Sequence, residues 1–220
     1  MGPGAAAGGS KSADGAGVLP LSADVVPARL SADRRAARPR SGPDRCRGRP
    51  ARVLLPTRGE LHNGGRRDLE VGNTEVLAGI IGGLLDCDVP RIEAADPYPD
   101  SYEATVQRNV REQDADARPG IANPLPSLDR YDTVLLASPI WNVRAPMIMT
   151  TFVEGLDFTG KVIHPVVTYA VSGLGTTERD YAPSCRVATV RDGLAVRGEE
   201  AVDAQPTVDS WLRRVGLLDR

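Results

Sequence analysis

The chain is poor in the side chains that bind metal ions or cross-link secreted proteins. Only 3 cysteines and 2 histidines occur among its 220 residues. Cys46, Cys87 and Cys185 are widely spaced and form no Cys-x-x-Cys pair, which argues against a disulfide framework and favours a reducing, cytoplasmic setting. The cysteines and histidines are also too few and too scattered for a metal-ligand set, so we predict no metal site.

Long hydrophobic runs are missing as well. No apolar stretch approaches the roughly 20 residues that a membrane-spanning helix requires. The sequence therefore predicts no membrane span.

The positions of the two histidines exclude a serine hydrolase. Residues 170–175 read Ala-Val-Ser-Gly-Leu-Gly and are similar to a nucleophile elbow around Ser172. An α/β-hydrolase carries its catalytic histidine after the nucleophile in the sequence, but His62 and His164 both precede Ser172. Because His164 lies inside a predicted strand, we expect it to be a structural residue.

Charge is distributed unevenly along the chain. Of the 27 Lys and Arg and the 29 Asp and Glu in the chain, residues 1–52 hold 10 and 4, which leaves 17 and 25 for residues 53–220. Residues 1–51 are rich in Gly, Ala, Pro and Arg and contain no aromatic residue, which predicts a disordered basic tail before a folded domain over residues 52–220. Because no aromatic residue lies among the arginines and the folded part is acidic, nucleic-acid binding is not expected.

Short apolar segments alternate with helical patterns in the folded part. Strands are predicted at residues 52–55, 88–94, 133–137, 161–170 and 194–196. Helices are predicted at residues 73–85, 101–115, 147–152, 176–185 and 208–215. We expect Asn73 to cap the first helix and the second helix, which is mostly polar, to lie on the surface. The alternation predicts an α/β fold with three αβα layers and a doubly wound, five-stranded parallel sheet of strand order 2-1-3-4-5.

The third predicted strand leads into the most distinctive loop. Residues 133–137 are apolar without alternation, as in a strand that is buried on both faces, and Ser138-Pro139 ends it. Trp141 then lies in a loop before the helix that follows Pro146. This loop and the loops at residues 57–73 and 168–175 follow three strands that are adjacent in the predicted sheet. In open α/β sheets, ligands bind where such loops converge.

Several motifs resemble those of the flavodoxins, and they occur in the same order. Gly72-Asn73-Thr74-Glu75 opens the first predicted helix, and Ser138-Pro139-Ile140-Trp141 follows the third strand. Similar segments are Asp96-Pro97-Tyr98 and Tyr169-Ala170-Val171-Ser172-Gly173-Leu174-Gly175. Over residues 53–217 the chain resembles small flavodoxin-like proteins whose first loop is expanded before Gly-Asn-Thr-Glu.

The resemblance implies non-covalent binding of FMN, which carries the redox chemistry, so no catalytic side chain is expected. It implies a phosphate site at a helix N-terminus, which suits an anion, formed by Thr57, Arg58, Asn73, Thr74 and Glu75. It places Trp141 against the isoalloxazine and the backbone of Asn142 and Val143 near flavin N5. The same loop begins with Ser138, Pro139 and Ile140. The resemblance places Tyr169, Ser172 and Gly173 on the pyrimidine side of the flavin.

Three functions stay open at this point. The first is an FMN-binding electron-transfer protein between a reductase and an acceptor. The second is an FMN-dependent enzyme that reduces a quinone, azo or nitro compound with NAD(P)H. The third is a flavodoxin-shaped binding module without flavin, because Leu55 runs directly into Pro56-Thr57-Arg58-Gly59 and the first strand is shorter than in flavodoxins.

Overall fold

The computed structural model describes residues 69–85, 87, 89–185 and 187–219, together with the backbone of three strand segments at residues 50–54, 60–62 and 65–67. The predicted tail lies outside the described residues, except that Pro50 and Ala51 form the start of the first strand. Thr57 and Arg58, two of the predicted phosphate ligands, also lie outside them.

Helices and strands alternate along most of the chain. In order they are β1 (Pro50–Leu54), β2 (Glu60–His62), β3 (Gly65–Arg67), α1 (Asn73–Leu84), α2 (Tyr102–Asp114), β4 (Thr133–Pro139), α3 (Met147–Glu154), β5 (Val162–Tyr169), α4 (Thr177–Ser184), β6 (Thr189–Val190), β7 (Leu194–Arg197), a 3-10 helix (Gly198–Asp203) and α5 (Gln205–Arg214).

Five strands form one parallel sheet, as the alternation predicts. β4 lies between β1 and β5, and both β6 and β7 pair with β5. β6 pairs with the start of β5, at Val162 and Ile163, and β7 pairs with its end, at residues 166–169. The two short strands therefore form a single interrupted edge beside β5.

The predicted second strand differs from the observed structure. Residues 89–94 form only isolated bridges, one of which joins Ala94 to Ile121. Pro90 has no backbone N–H to donate to a neighbouring strand, so the segment cannot continue a regular ladder there. The fifth strand of the sheet is supplied by β6 instead.

Two further local predictions need correction. The loop predicted at residues 57–72 contains an antiparallel pair, β2 with β3, that brackets Asn63-Gly64. The N-cap of α1 is Gly72, and Asn73 is the first helical residue. Because glycine is accepted at an N-cap, the helix begins one residue earlier than the side chain of Asn73 suggested.

The side chains of β4 alternate between two hydrophobic clusters. Val134 and Leu136 pack with α3 and α4, in a cluster that contains Ile148 and Phe152. Leu135 and Ala137 pack on the opposite face with α1 and α5, in a cluster that includes Trp211. All four strand residues are almost completely buried, and burial of each large apolar side chain stabilises the fold by about 1.5–3 kcal/mol. The three αβα layers follow from this alternation.

The C-terminal helix ends as the sequence predicts. Gly216 has a φ of 78° and donates its N–H to the carbonyl of Arg213, and Leu217 donates its N–H to the carbonyl of Leu212. These two bonds define a Schellman motif, in which glycine supplies the left-handed residue. Leu217 and Leu218 then pack against the cluster of α1 and α5.

No described helix has both the length and the apolar character needed to cross a membrane. Within the described part of the chain, no group of three or more His, Cys, Asp or Glu side chains is arranged to hold a metal ion.

His164 lies in the core, where the sequence places it. Its side chain is 3 % exposed, its Nδ1 is 2.9 Å from the carbonyl oxygen of Asp192, and its ring meets Trp211 edge-on at 5.7 Å. Since a carbonyl only accepts, Nδ1 carries the proton of a neutral imidazole. Burial is the main reason that the pKa of His164 lies below its usual value of 6.5.

The low pKa of His164 predicts a loss of stability in mild acid. Below pH 6.5 the unfolded chain binds a proton at this position that the folded chain resists, so the free energy of unfolding falls with pH, by at most about 1.4 kcal/mol per pH unit. Urea unfolding between pH 8 and pH 5 measures the slope. His164→Phe should flatten it, and His62→Gln, which changes the other histidine, should not. An equal slope in wild type and His164→Phe between pH 6.5 and pH 5 would show that another group is responsible.

Candidate functional site

A cavity of 420 Å³ lies at the carboxyl ends of β4 and β5. It is bounded by residues 139–143, residues 168–172 and one face of α2. Its volume falls in the range of about 300–1,000 Å³ that small-molecule sites occupy. The position matches the general rule for open α/β sheets, in which ligands bind outside the carboxyl ends of the strands.

Helix α2 forms a wall of this cavity, so the prediction that it is only a polar surface helix is incomplete. Ser101 caps it by accepting a hydrogen bond from the N–H of Ala104 at 3.5 Å, and Glu103 lies in its first turn, where the helix dipole favours a carboxylate. The residues that line the cavity are spaced three and four apart: Tyr102, Thr105, Val106, Asn109 and Val110. This spacing places them on one face of the helix.

A tight turn at residues 141–144 borders the cavity. Trp141 donates its N–H to the carbonyl of Arg144 at 2.8 Å, and Arg144 donates to the carbonyl of Trp141 at 3.3 Å. Asn142 and Val143 have φ values of 50° and 66°. Asparagine tolerates this region, but a β-branched residue rarely occupies it, and such backbone costs about 1–3 kcal/mol. The surroundings must therefore hold the turn in place.

Two residues outside the turn form hydrogen bonds with it. The carbonyl of Val143 accepts a hydrogen bond from the N–H of Thr176 at 2.8 Å. Gln113 of α2 donates from Nε2 to the carbonyl of Trp141 at 3.1 Å and accepts from Nδ2 of Asn142 at 3.0 Å. These bonds fix both the backbone and the side chain of the strained turn.

The ring of Trp141 is supported by an aromatic and ionic stack. Tyr98 meets it edge-on at 4.9 Å, and the guanidinium of Arg108 lies 4.2 Å from the centre of the Tyr98 ring. Glu112 accepts from Arg108 Nε at 2.7 Å and from the Tyr98 hydroxyl at 3.1 Å. Burial, followed by the charge of Glu112, raises the pKa of Tyr98 far above its usual value, so the phenol stays neutral. The stack fixes the orientation of the indole.

The N-terminus of α1 is joined to the cavity through a hydrogen bond. Thr74 and Asn73 are buried at the start of the helix. The hydroxyl of Thr74 is 2.6 Å from the hydroxyl of Thr168, and Thr168 lines the cavity. Glu75 forms an ion pair with Arg91. The first N–H groups of a helix attract anions. A ligand with an anionic group could therefore contact the start of α1 with that group while the rest of the molecule occupies the cavity.

The predicted site residues that the structure describes fall into three groups. Seven of them line the cavity: Pro139, Ile140, Trp141, Asn142, Val143, Tyr169 and Ser172. Ser138 is fully buried in β4 directly before this group, and Gly173 directly after Ser172 has a φ of 58°. Asn73, Thr74 and Glu75 lie at the start of α1, where the hydroxyl of Thr74 is hydrogen-bonded to Thr168 of the cavity lining.

Thr168 and the residues of α2 were missed by the sequence analysis. The signal that could have found the helix face is its spacing, since Tyr102, Val106, Asn109 and Val110 recur at helical intervals in an otherwise polar segment. The sequence gives no comparable signal for the hydrogen bond between Thr74 and Thr168, which are 94 residues apart.

The parallel sheet, the cavity at its carboxyl edge and the adjacent helix N-terminus define a doubly wound α/β protein with a cavity at the strand ends. A family model described as Flavodoxin matches residues 70–215. The chain belongs to the flavodoxin family. No curated protein matches the sequence.

Solved structures with the same fold include two from Bacteroides. A candidate flavoprotein of Bacteroides uniformis ATCC 8492 is 23% identical, with a TM-score of 0.61 over 76% of this chain and 99% of that chain. One from Bacteroides eggerthii DSM 20697 is 20% identical, with a TM-score of 0.59 over 76% of this chain and 98% of that chain. A flavoprotein of Lactobacillus acidophilus NCFM in complex with FMN is 15% identical, with a TM-score of 0.51 over 72% of this chain and 99% of that chain.

The hydrogen bond from Thr176 to the carbonyl of Val143 predicts that two nearby glycines differ in how much stability is lost on substitution by alanine. A Cβ at Gly175 would lie 2.0 Å from the carbonyl oxygen of Val143, whereas a Cβ at Gly173 would meet nothing within 4 Å. Both have positive φ, so Gly173→Ala should cost about 1–2 kcal/mol from backbone strain alone. Gly175→Ala should cost clearly more, because the Val143–Thr176 bond must break. Urea unfolding measures the free energy of unfolding of both variants. Equal losses would show that the contact with Val143 does not restrict position 175.

The buried hydroxyl pair predicts a non-additive effect on stability. Thr74→Val leaves the hydroxyl of Thr168 buried without its partner, so it should cost about 1–3 kcal/mol, and Thr168→Val should cost a similar amount. The double variant removes both hydroxyls and should be less destabilised than the sum of the two single variants. The measurement is a double-mutant cycle by urea unfolding. Strict additivity would show that the pair contributes nothing.

Proposed function

We propose that the chain binds FMN non-covalently at this cavity and transfers electrons between a reductase and an acceptor. The observation that carries the proposal is the placement of Trp141 on the wall of a cavity that adjoins the N-terminus of α1. The fold it shares with the FMN-bound flavoprotein of Lactobacillus acidophilus supports it. FMN, when bound, supplies the electron acceptance and release on which the proposed function depends.

The described residues fit the two chemically different ends of FMN. The buried start of α1 offers backbone N–H groups and the hydroxyl of Thr74 to an anionic phosphate without requiring a lysine. None of the described residues that line the cavity is charged, and most are apolar. Such a lining suits a flat, uncharged ring system and penalises an added charge inside the cavity.

Each part of the chain has a separate task in this proposal. Trp141, held by Tyr98, offers an oriented aromatic face for the ring. The turn at Asn142 and Val143, already fixed in its strained conformation, places backbone groups at the ring edge without further reorganisation. Residues 169–173 border the cavity from the neighbouring strand. Thr57 and Arg58 stay predicted phosphate ligands in the first loop.

The surface around the cavity supports exchange of electrons with a partner protein. Val143 and Val171, which border the cavity, are 52 % and 80 % exposed, so a partner can approach its edge. Residues 53–220 carry 25 acidic and 17 basic side chains, an excess of acidic ones. An acidic surface steers a basic partner toward it and makes the association rate fall with salt.

The proposal predicts saturable binding of FMN that depends on Trp141. Titration of apoprotein in phosphate-free buffer should quench the fluorescence of FMN, because the ring stacks on the indole. Trp141→Ala should weaken binding about tenfold, in line with a stacking contribution on the order of 1–3 kcal/mol, while Trp141→Phe, which keeps an aromatic face, should lose less. Inorganic phosphate should compete.

Two results would contradict the proposal. The first is a wild-type protein that leaves FMN fluorescence unchanged at every concentration. The second is equal affinity in wild type, Trp141→Ala and Trp141→Phe, which would place the flavin elsewhere.

A further inference from the structure

Asn109 on α2 is a buried polar residue of the cavity lining. Its side chain is 2 % exposed and lines the cavity. Its neighbours on the same face of the helix are Val106 and Val110, and Ile140 and Trp141 also contribute to the lining. An amide that is buried among apolar groups needs hydrogen-bond partners, because an unpartnered one costs about 1–3 kcal/mol.

The orientation of the Asn109 amide is fixed by a chain of hydrogen bonds. The chain starts at the carbonyl of Trp141, which can only accept, so the atom of Gln113 that faces it at 3.1 Å must be Nε2. The same Nε2 is 3.3 Å from Asn109, and its partner there must therefore be the acceptor Oδ1. The bond from Asn142 to Oε1 of Gln113 agrees with this direction. The assignment of O and N in both amides follows from the backbone.

The amide nitrogen of Asn109 takes no part in this series of hydrogen bonds. Oδ1 of Asn109 accepts from Gln113, but among the described residues no group accepts a hydrogen bond from Nδ2 of Asn109. Because the residue lines the cavity, this donor is available to a molecule inside it. No described residue of the lining carries a charge, so the matching acceptor is a neutral oxygen and not a carboxylate or phosphate.

We propose that Asn109 is a ligand-binding residue that donates a hydrogen bond from Nδ2 to a ring carbonyl oxygen of a flat, uncharged aromatic molecule in the cavity. The inference deepens the proposed function where that molecule is the isoalloxazine of FMN, and it also covers a quinone-type acceptor with the same chemistry. In either case α2 selects ligands by a carbonyl group, since a buried donor rejects an analogue that lacks its acceptor.

The test compares ligands that differ only in the carbonyl groups. The variants are Asn109→Leu and Asn109→Ala, and the matched control is Gln107→Leu, which changes an exposed amide of α2 that is not part of the cavity lining. The probes are FMN, 2-methyl-1,4-naphthoquinone and 2-methylnaphthalene. Equilibrium binding is measured by fluorescence, and circular dichroism and melting temperature report the folding of each variant.

Two results support the proposal and identify the source of the carbonyl. About tenfold weaker FMN binding in Asn109→Leu, with unchanged binding in Gln107→Leu, assigns the acceptor to the flavin. Unchanged FMN binding with about tenfold weaker binding of the naphthoquinone, but not of the hydrocarbon, assigns it to a second aromatic ligand. If Asn109→Leu does not fold, Asn109→Ala is used in its place. Its ratio of quinone affinity to hydrocarbon affinity is then compared with the same ratio in the wild type.

The proposal is overturned if all affinities stay within twofold of wild type in a folded Asn109 variant. It is also overturned if quinone and hydrocarbon lose affinity equally, because a purely structural role of Asn109 would have that effect. Failure of the wild type to bind FMN contradicts the proposed function alone, since the quinone and hydrocarbon pair still tests the donor of Asn109.

Discussion

The burial of β4 on both faces is the constraint on which the rest of the molecule depends. Its backbone is bonded to β1 on one side and to β5 on the other, and its side chains alternate between the two hydrophobic clusters. Neither its position nor its register can shift by one residue without exchanging the two sets of side chains. The point at which the chain leaves the sheet, at Pro139, is therefore fixed, and with it the origin of the loop that carries Trp141.

After Pro139 the conformation of the loop is determined by contacts with residues that are not part of the sheet. Helix α2 contributes an ionic stack that orients the indole of Trp141 through Tyr98, and an amide that bonds the adjacent turn. The turn itself is unfavourable in isolation because Val143 occupies the left-handed region. Strained backbone of this kind persists only where the surrounding contacts determine it. Helix α2 and the turn are thus joined beside the cavity by these contacts.

The sequence was informative wherever structure depends on local patterns. Apolar runs and helical spacing predicted four of the strands in the sheet, the main helices and the loops that border the cavity. Prediction was poorer where the outcome depends on competition between distant segments. Pro90 interrupts the predicted second strand, and a two-residue strand at Thr189 and Val190 pairs with β5 in addition to β7. Such a short strand has no periodicity of its own to recognise.

The site shows the same division. The predicted segments around Trp141 and Tyr169 border the cavity because each follows a strand, and Thr74 lies in the first turn of α1. The amide chain through Gln113 and the bond between Thr74 and Thr168 depend on side chains that approach only after folding. The polar composition of α2 predicted its exposed face, but it gave no indication that the other face lines the cavity.

The two tryptophans stand in very different surroundings. Trp211 is 1 % exposed in the core between α1, α5 and the sheet, whereas Trp141 lies at the cavity beside Tyr98. Proteins open locally at free energies well below that of global unfolding, and ligand-binding loops are usually among the first regions to do so. The chain therefore carries two intrinsic fluorophores, Trp141 for local opening at the cavity and Trp211 for unfolding of the core. A variant in which one of the two is replaced by phenylalanine reports on the other event alone, without an added label.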